Sequence, residues 1–133
     1  YEIAWGRNHV KVEFVHDPYK QIARSSLFYQ GFQVDSKGDI ATNKLLTISQ
    51  RTTTKDFVDL YYLLKKDFTF WDLFHSVEHK FGMEIEPVYA ASLLSKADEL
   101  NSLPMMKKKL KLEVLQKFFK DQAVTLASKF VKA

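Results

Sequence analysis

Polar and apolar residues alternate near the start of the chain, and from Ser36 onward apolar residues recur every three or four positions. Val10, Val12 and Phe14 fall on one side of an extended segment and Lys11 and Glu13 on the other, which is the two-residue period of a strand. With Glu2-Ile3-Ala4-Trp5 before it and Gly6-Arg7-Asn8 between, the segment 9–15 predicts a hairpin. Asp17-Pro18 breaks it, and another short strand is predicted near Phe32–Val34. Two or three strands do not hold a sheet by themselves. This one must lie against helices or extend further strands.

The helical part opens with a repeated signal. Ser36/Asp39, Thr53/Asp56 and Thr69/Asp72 each set a hydroxyl three places before an acid, a capping-box-like spacing that also suits the helix dipole. Helices are predicted at 37–50, 54–66, 70–81, 87–100 and 111–131, with Pro87 in a first turn and Pro104 as a stop. The third gathers Phe70, Leu73, Phe74, Val77 and Phe81 on one face, and the last gathers Leu115, Phe119, Ala123, Leu126 and Phe130. The fold class expected is α+β (or α/β). A small N-terminal hairpin or partial sheet, residues 1–35, packs on a five-helix C-terminal bundle, residues 36–133, as one compact unit.

Composition narrows the function classes. With 133 residues the chain suits one domain, and 46% hydrophobic with 27% charged residues is globular rather than disordered. The lack of cysteine removes disulfide frameworks and thiolate metal sites and fits a reducing cytoplasm. No apolar run reaches the ~20 residues of a membrane span, so no membrane partner is expected. A net charge of +4 favours anionic partners, although the basic stretch Lys107 to Lys111, with Lys117 and Lys120, lacks aromatic interleaving and reads as a solvated face.

Two charged residues stand out because of where they fall. Asp59 lies within Phe57-Val58-Asp59-Leu60-Tyr61-Tyr62-Leu63-Leu64, and a carboxylate buried alone there would cost at least a few kcal/mol. Lys44 shares a helical face with Ile40 and Ile48. Opposite charges on two successive, partly apolar helices predict a shared polar site. Arg51, Lys55 and Asp56 lie beside it in sequence, where the cations could neutralise phosphate oxygens and the paired acids could hold a metal or orient a base. The competing readings are a helix cap for Asp56 and a structural ion pair for Lys44 and Asp59. Glu13, mid-strand, could project into a metal site or simply face solvent.

His75-Ser-Val-Glu78-His79 matches the spacing of a zinc-hydrolase motif, yet these residues lie on the side of their helix away from the apolar face. The sequence contains no Gly-rich phosphate loop, no G-x-S-x-G and no dinucleotide fingerprint.

Three segments carry a family resemblance: Val10-Lys-Val-Glu13-Phe-Val, Val34-Asp-Ser-Lys-Gly-Asp39-Ile-Ala-Thr-Asn-Lys44-Leu, and Arg51-Thr-Thr-Thr-Lys55-Asp56-Phe-Val-Asp59-Leu-Tyr-Tyr-Leu-Leu-Lys65. Leu103-Pro-Met-Met and Phe118-Phe-Lys-Asp-Gln-Ala extend it toward the C-terminus. They resemble the AbiEii/AbiGii nucleotidyltransferase toxins of the polymerase-β-like superfamily. The resemblance implies transfer of a nucleotidyl group from an NTP, with Mg2+, to an RNA (tRNA) or protein acceptor, and an antitoxin protein as a partner. It also implies roles: Glu13 as a third metal acid, Lys44 on the triphosphate with Arg51 and Lys55 nearby, and Asp56 or Asp59 completing the catalytic set.

The family's Gly-Ser (or Gly-Gly) and Asp-x-Asp motif is missing from these residues, and the chain opens at Tyr1 already reading as strand. The expectation is a C-terminal part of such an enzyme, inactive alone. The rival expectation is a non-enzymatic helical module that binds a partner protein, which a large exposed apolar patch around Ile3, Val10 and Val12 would favour.

Overall fold

The computed structural model describes residues 2–5, 7–25 and 27–131, with the side chains of 2–5, 8, 130 and 131 outside the description. The expected α+β arrangement is present. Strands β1 (Glu2–Trp5) and β2 (Asn8–Lys11) pair antiparallel, as do β3 (Phe28–Tyr29) and β4 (Phe32–Gln33). Helices α1 (Lys37–Gln50), α2 (Thr54–Lys66), α3 (Phe70–Phe81), α4 (Pro87–Ser95) and α5 (Leu112–Val131) follow, with a 3-10 turn at Lys96–Glu99.

The second strand is shorter than its alternation predicts. The register sets Glu2 opposite Lys11, and strand pairing ends there among the described residues. Val12 onward, Glu13 included, is irregular, and Phe14 and Val15 are 84% and 80% exposed. Around 32–34 the pairing is a two-residue hairpin, Phe28 with Gln33 and Tyr29 with Phe32. Its turn, Gln30-Gly31, has positive φ at both positions (48° and 84°), as a tight hairpin matched to strand twist requires. The strands thus form two separate ribbons, and each contacts mainly itself.

The first three helices run where their caps predict, but the caps differ. At α3 the full capping box forms, and Gly82 ends the helix at φ 63°, a left-handed position that glycine adopts without a Cβ clash. At α1 the Ser36 hydroxyl accepts the Asp39 N–H at 3.0 Å. At α2 Thr53 makes no side-chain bond to the helix backbone; its hydroxyl donates to the Asp56 carboxylate instead. Asp56 is therefore not a cap. The fourth predicted helix splits, because the Lys96 N–H bonds to both Leu93 and Leu94 carbonyls and the chain tightens into the 3-10 turn.

The core lies between α1, α2, α3 and the α4/α5 pair. Phe57 of α2 meets Phe119 of α5 edge-on at 5.0 Å, and Tyr61 meets Phe118 at 4.9 Å. Both predicted apolar faces turn inward: Phe70, Leu73, Phe74 and Val77 are buried on α3, with Phe81 partly so, and Leu115, Phe119, Ala123 and Leu126 are buried on α5. The side chain of Phe130 lies outside the described residues.

Candidate functional site

Where α1 passes α2, Lys44 Nζ donates to Asp56 Oδ1 at 2.8 Å and meets Asp59 Oδ2 at 2.9 Å. Asp56 Oδ2 accepts from Arg51 Nε at 3.1 Å and from the Thr53 hydroxyl. The geometry follows from helix spacing. Asp56 and Asp59, three residues apart, sit on one edge of α2, and Lys44 projects from α1 between them.

Burial grades the roles. Asp56 is nearly sealed at 2% exposure, whereas the Asp59 side chain is 45% exposed, Lys44 27% and Arg51 63%. Burial alone would raise the Asp56 pKa, but the bonds from Lys44, Thr53 and Arg51 outweigh it and hold the carboxyl below its usual range. Burial likewise opposes the charge on Lys44, and the bonds to Asp56 and Asp59 overcome it, so the lysine pKa is raised. Lys44 is thus a firmly charged ammonium held by two carboxylates, with its side chain still 27% exposed.

The other predicted members lie elsewhere. Lys55 is exposed and makes no ion pair among the described residues. Glu13, exposed and off the strand, pairs with Lys11. That lysine's hydrogen bond and charge hold the Glu13 carboxyl below its usual range, with a smaller contribution from Arg51. His75 and His79 face solvent as placed from sequence, and His75 Nδ1 sits 3.4 Å from Glu78 Oε2. No group of three or more His, Cys, Asp or Glu side chains is arranged to hold a metal ion among the described residues.

Neither zinc at His75/Glu78/His79 nor magnesium at Glu13/Asp56/Asp59 finds a fitting donor set here. Asp56 has its oxygens committed to Lys44, Arg51 and Thr53, and Glu13 is paired with Lys11 and feels the cluster only through the charge of Arg51. The acids of this site hold cations in place.

A second charged constellation joins Asp39 of α1 to Lys80 of α3. Asp39, 0% exposed, accepts from Ile22 N–H (2.9 Å), Ala23 N–H (3.3 Å), the Ser36 hydroxyl (2.7 Å) and Lys80 Nζ (2.9 Å). Burial works against its charge, but these donors prevail and bring its pKa from 3.8 to about 2. Lys80, with 1% of its side chain exposed, ties α3 to the start of α1. The signal was available, since Lys80 follows Leu73 by seven positions and Val77 by three, on the rim of α3's apolar face.

The architecture is that of an α+β protein whose helices carry paired charge at two junctions, α1 with α2 and α1 with α3. The chain matches the family described as nucleotidyl transferase AbiEii toxin, Type IV TA system, over residues 4–128, and it belongs to that family. Comparison with curated proteins gave no match, and comparison with solved structures gave none. Among the described residues no helix is long and apolar enough to cross a membrane.

Proposed function

We propose that this chain serves nucleotidyl transfer from an NTP to an RNA acceptor, and that Lys44 is its triphosphate-binding cation. The observation that carries the reading is the Lys44 ammonium, pinned 2.8 Å from Asp56 and 2.9 Å from Asp59 yet still partly open to solvent. A lysine fixed this way needs little reorganisation when an anion arrives. Asp56 positions Lys44 and Arg51 together, and the more exposed Asp59 shares Lys44 from the solvent side. Charge that develops on phosphate oxygens during transfer would be met by Lys44 and, farther out, by Arg51.

The Asp-x-Asp carboxylates that the family resemblance ties to magnesium are absent from the 133 residues, so no step is assigned to a metal here. On this reading the chain supplies the helical, nucleotide-holding part of the enzyme, residues 1–35 belonging to its sheet and 36–133 to its helical region. Incubation with labelled NTPs, magnesium and tRNA should give NTP binding with little or no transfer. Robust transfer by this chain alone would overturn that division of labour, and failure to bind any NTP would overturn the reading itself.

One observation favours a partner protein as well. Val10, Phe14, Val15, Phe28 and Phe32 are all exposed, although the Ile3 side chain lies outside the described residues. Apolar surface of this kind is what a polypeptide such as an antitoxin would cover.

A further inference from the structure

The basic stretch before α5 is not the plain solvated face that its sequence suggests. It lines a cleft of about 640 Å³ together with Leu103, Met106 and Tyr61 of α2, contributing Lys108, Lys109 and Lys111. Among the described residues no carboxylate lines it. Among the described residues Lys108, Lys109 and Lys111 make no ion pair with Asp or Glu, whereas Lys37, Lys44, Lys80 and Lys117 all do.

The aromatic component missing from the linear sequence is supplied across space. Lys108 Nζ lies 5.1 Å from the Tyr62 ring centroid, and Lys65 Nζ is 3.1 Å from the Tyr61 hydroxyl. Tyr61, which lines the cleft, packs edge-on against its neighbour Tyr62 at 5.1 Å. Lysines crowded together without counter-charges repel one another, and that repulsion is relieved by a bound polyanion.

We infer that this cleft binds the phosphate backbone of a single-stranded RNA segment, as the acceptor-binding surface of the chain. The inference rests on the proposed nucleotidyl transfer to an RNA acceptor, but it uses residues separate from Lys44, Asp56 and Asp59. Three ammonium groups on an apolar, aromatic-backed cleft suit a run of phosphates rather than one base, so binding should be sequence-tolerant and salt-sensitive.

The test is fluorescence anisotropy of the full chain with a labelled single-stranded RNA of about 12 nucleotides, a length within the usual site sizes. At roughly −0.7 per phosphate contact, three contacts predict a fall in affinity of about twentyfold between about 50 and about 200 mM salt. The triple variant Lys108→Gln/Lys109→Gln/Lys111→Gln should lose about tenfold or more at low salt and most of that salt dependence. Lys117→Gln/Lys120→Gln, on the body of α5, should bind RNA as the parent does.

NTP binding, measured on the same preparations, should survive the triple variant, and RNA binding should survive Lys44→Met. A defect in the Lys44 reading would therefore appear in the NTP titration alone. The cleft assignment is overturned if the triple variant keeps full RNA affinity and salt slope. It is also overturned if the control pair weakens binding equally, or if polyglutamate competes as well as RNA does.

Discussion

Replacing Lys80 with methionine isolates the buried Asp39–Lys80 pair that fixes α1 against α3. The substitution keeps the length of the side chain and removes the ammonium, leaving a fully buried carboxylate that still accepts from two backbone N–H groups and Ser36. Breaking a buried pair by removing one partner costs ~3–5 kcal/mol when the other charge is left uncompensated. The surviving donors reduce that here to roughly 2–3 kcal/mol.

The pH dependence follows from the Asp39 pKa. Because folding lowers it from 3.8 to about 2, the carboxylate contributes stability above the unfolded value and loses it as pH falls through the folded one. That contribution is roughly 2–3 kcal/mol at neutral pH, at about 1.4 kcal/mol per unit. Lys80→Met weakens the depression, so the difference from the parent should be full at pH 7 and should shrink as pH falls from 3.8 toward 2. Urea unfolding at pH 7 and at acid pH, followed by circular dichroism, measures both. A loss below about 0.5 kcal/mol at pH 7, or one that stays constant down to acid pH, refutes the reasoning.

Further perturbations separate the elements of the site from the fold. Asp56→Asn presents an amide nitrogen to Lys44 or Arg51 and should cost about 1–2 kcal/mol in urea unfolding, with NTP binding weakened more than in the parent at matched stability. Glu13→Gln, at an exposed residue whose ion pair is to Lys11 within its own segment, should leave the urea midpoint unchanged; a clear drop would mean that the segment packs against the helices. Phe119→Ala removes the ring that faces Phe57 at the α2–α5 contact and should cost about 3–5 kcal/mol, read as a large fall in the melting temperature.

Much of the fold could be read from local chemistry, because hydroxyl–acid spacings and apolar periodicity act over one or two turns. Ser36 and Thr69 cap the starts of α1 and α3 and Gly82 ends α3, whereas α2 starts after Thr53 although that hydroxyl bonds Asp56 instead of the backbone. What escaped depends on partners distant in sequence. Alternation through Val15 predicts a longer β2, but strand pairing ends at Lys11 in the described register, and alternation without a partner does not make a strand.

The contact between Lys44 and Asp59 was legible from opposite charges on two successive helices, but the burial expected of Asp59 falls on Asp56, and the Asp59 side chain is 45% exposed. Lys80, on the rim of an apolar face, carried a signal for the second pair, but its acid, Asp39, lies 41 positions away and looked fully explained as a first-turn residue. Asp56 shows the reverse case. Its spacing from Thr53 suggests a cap, and only the approach of α1 reveals that its oxygens serve Lys44 and Arg51. The lysines before α5 looked merely solvated because the tyrosines backing them belong to α2.

The most direct measurement is calorimetric titration of each NTP into the parent chain, Lys44→Met and Lys55→Gln, with urea unfolding of all three as the stability control. The account predicts that Lys44→Met binds at least about tenfold more weakly, a loss of about 1.4 kcal/mol or more, while Lys55→Gln binds within about twofold of the parent. Full NTP affinity in a folded Lys44→Met variant would contradict it.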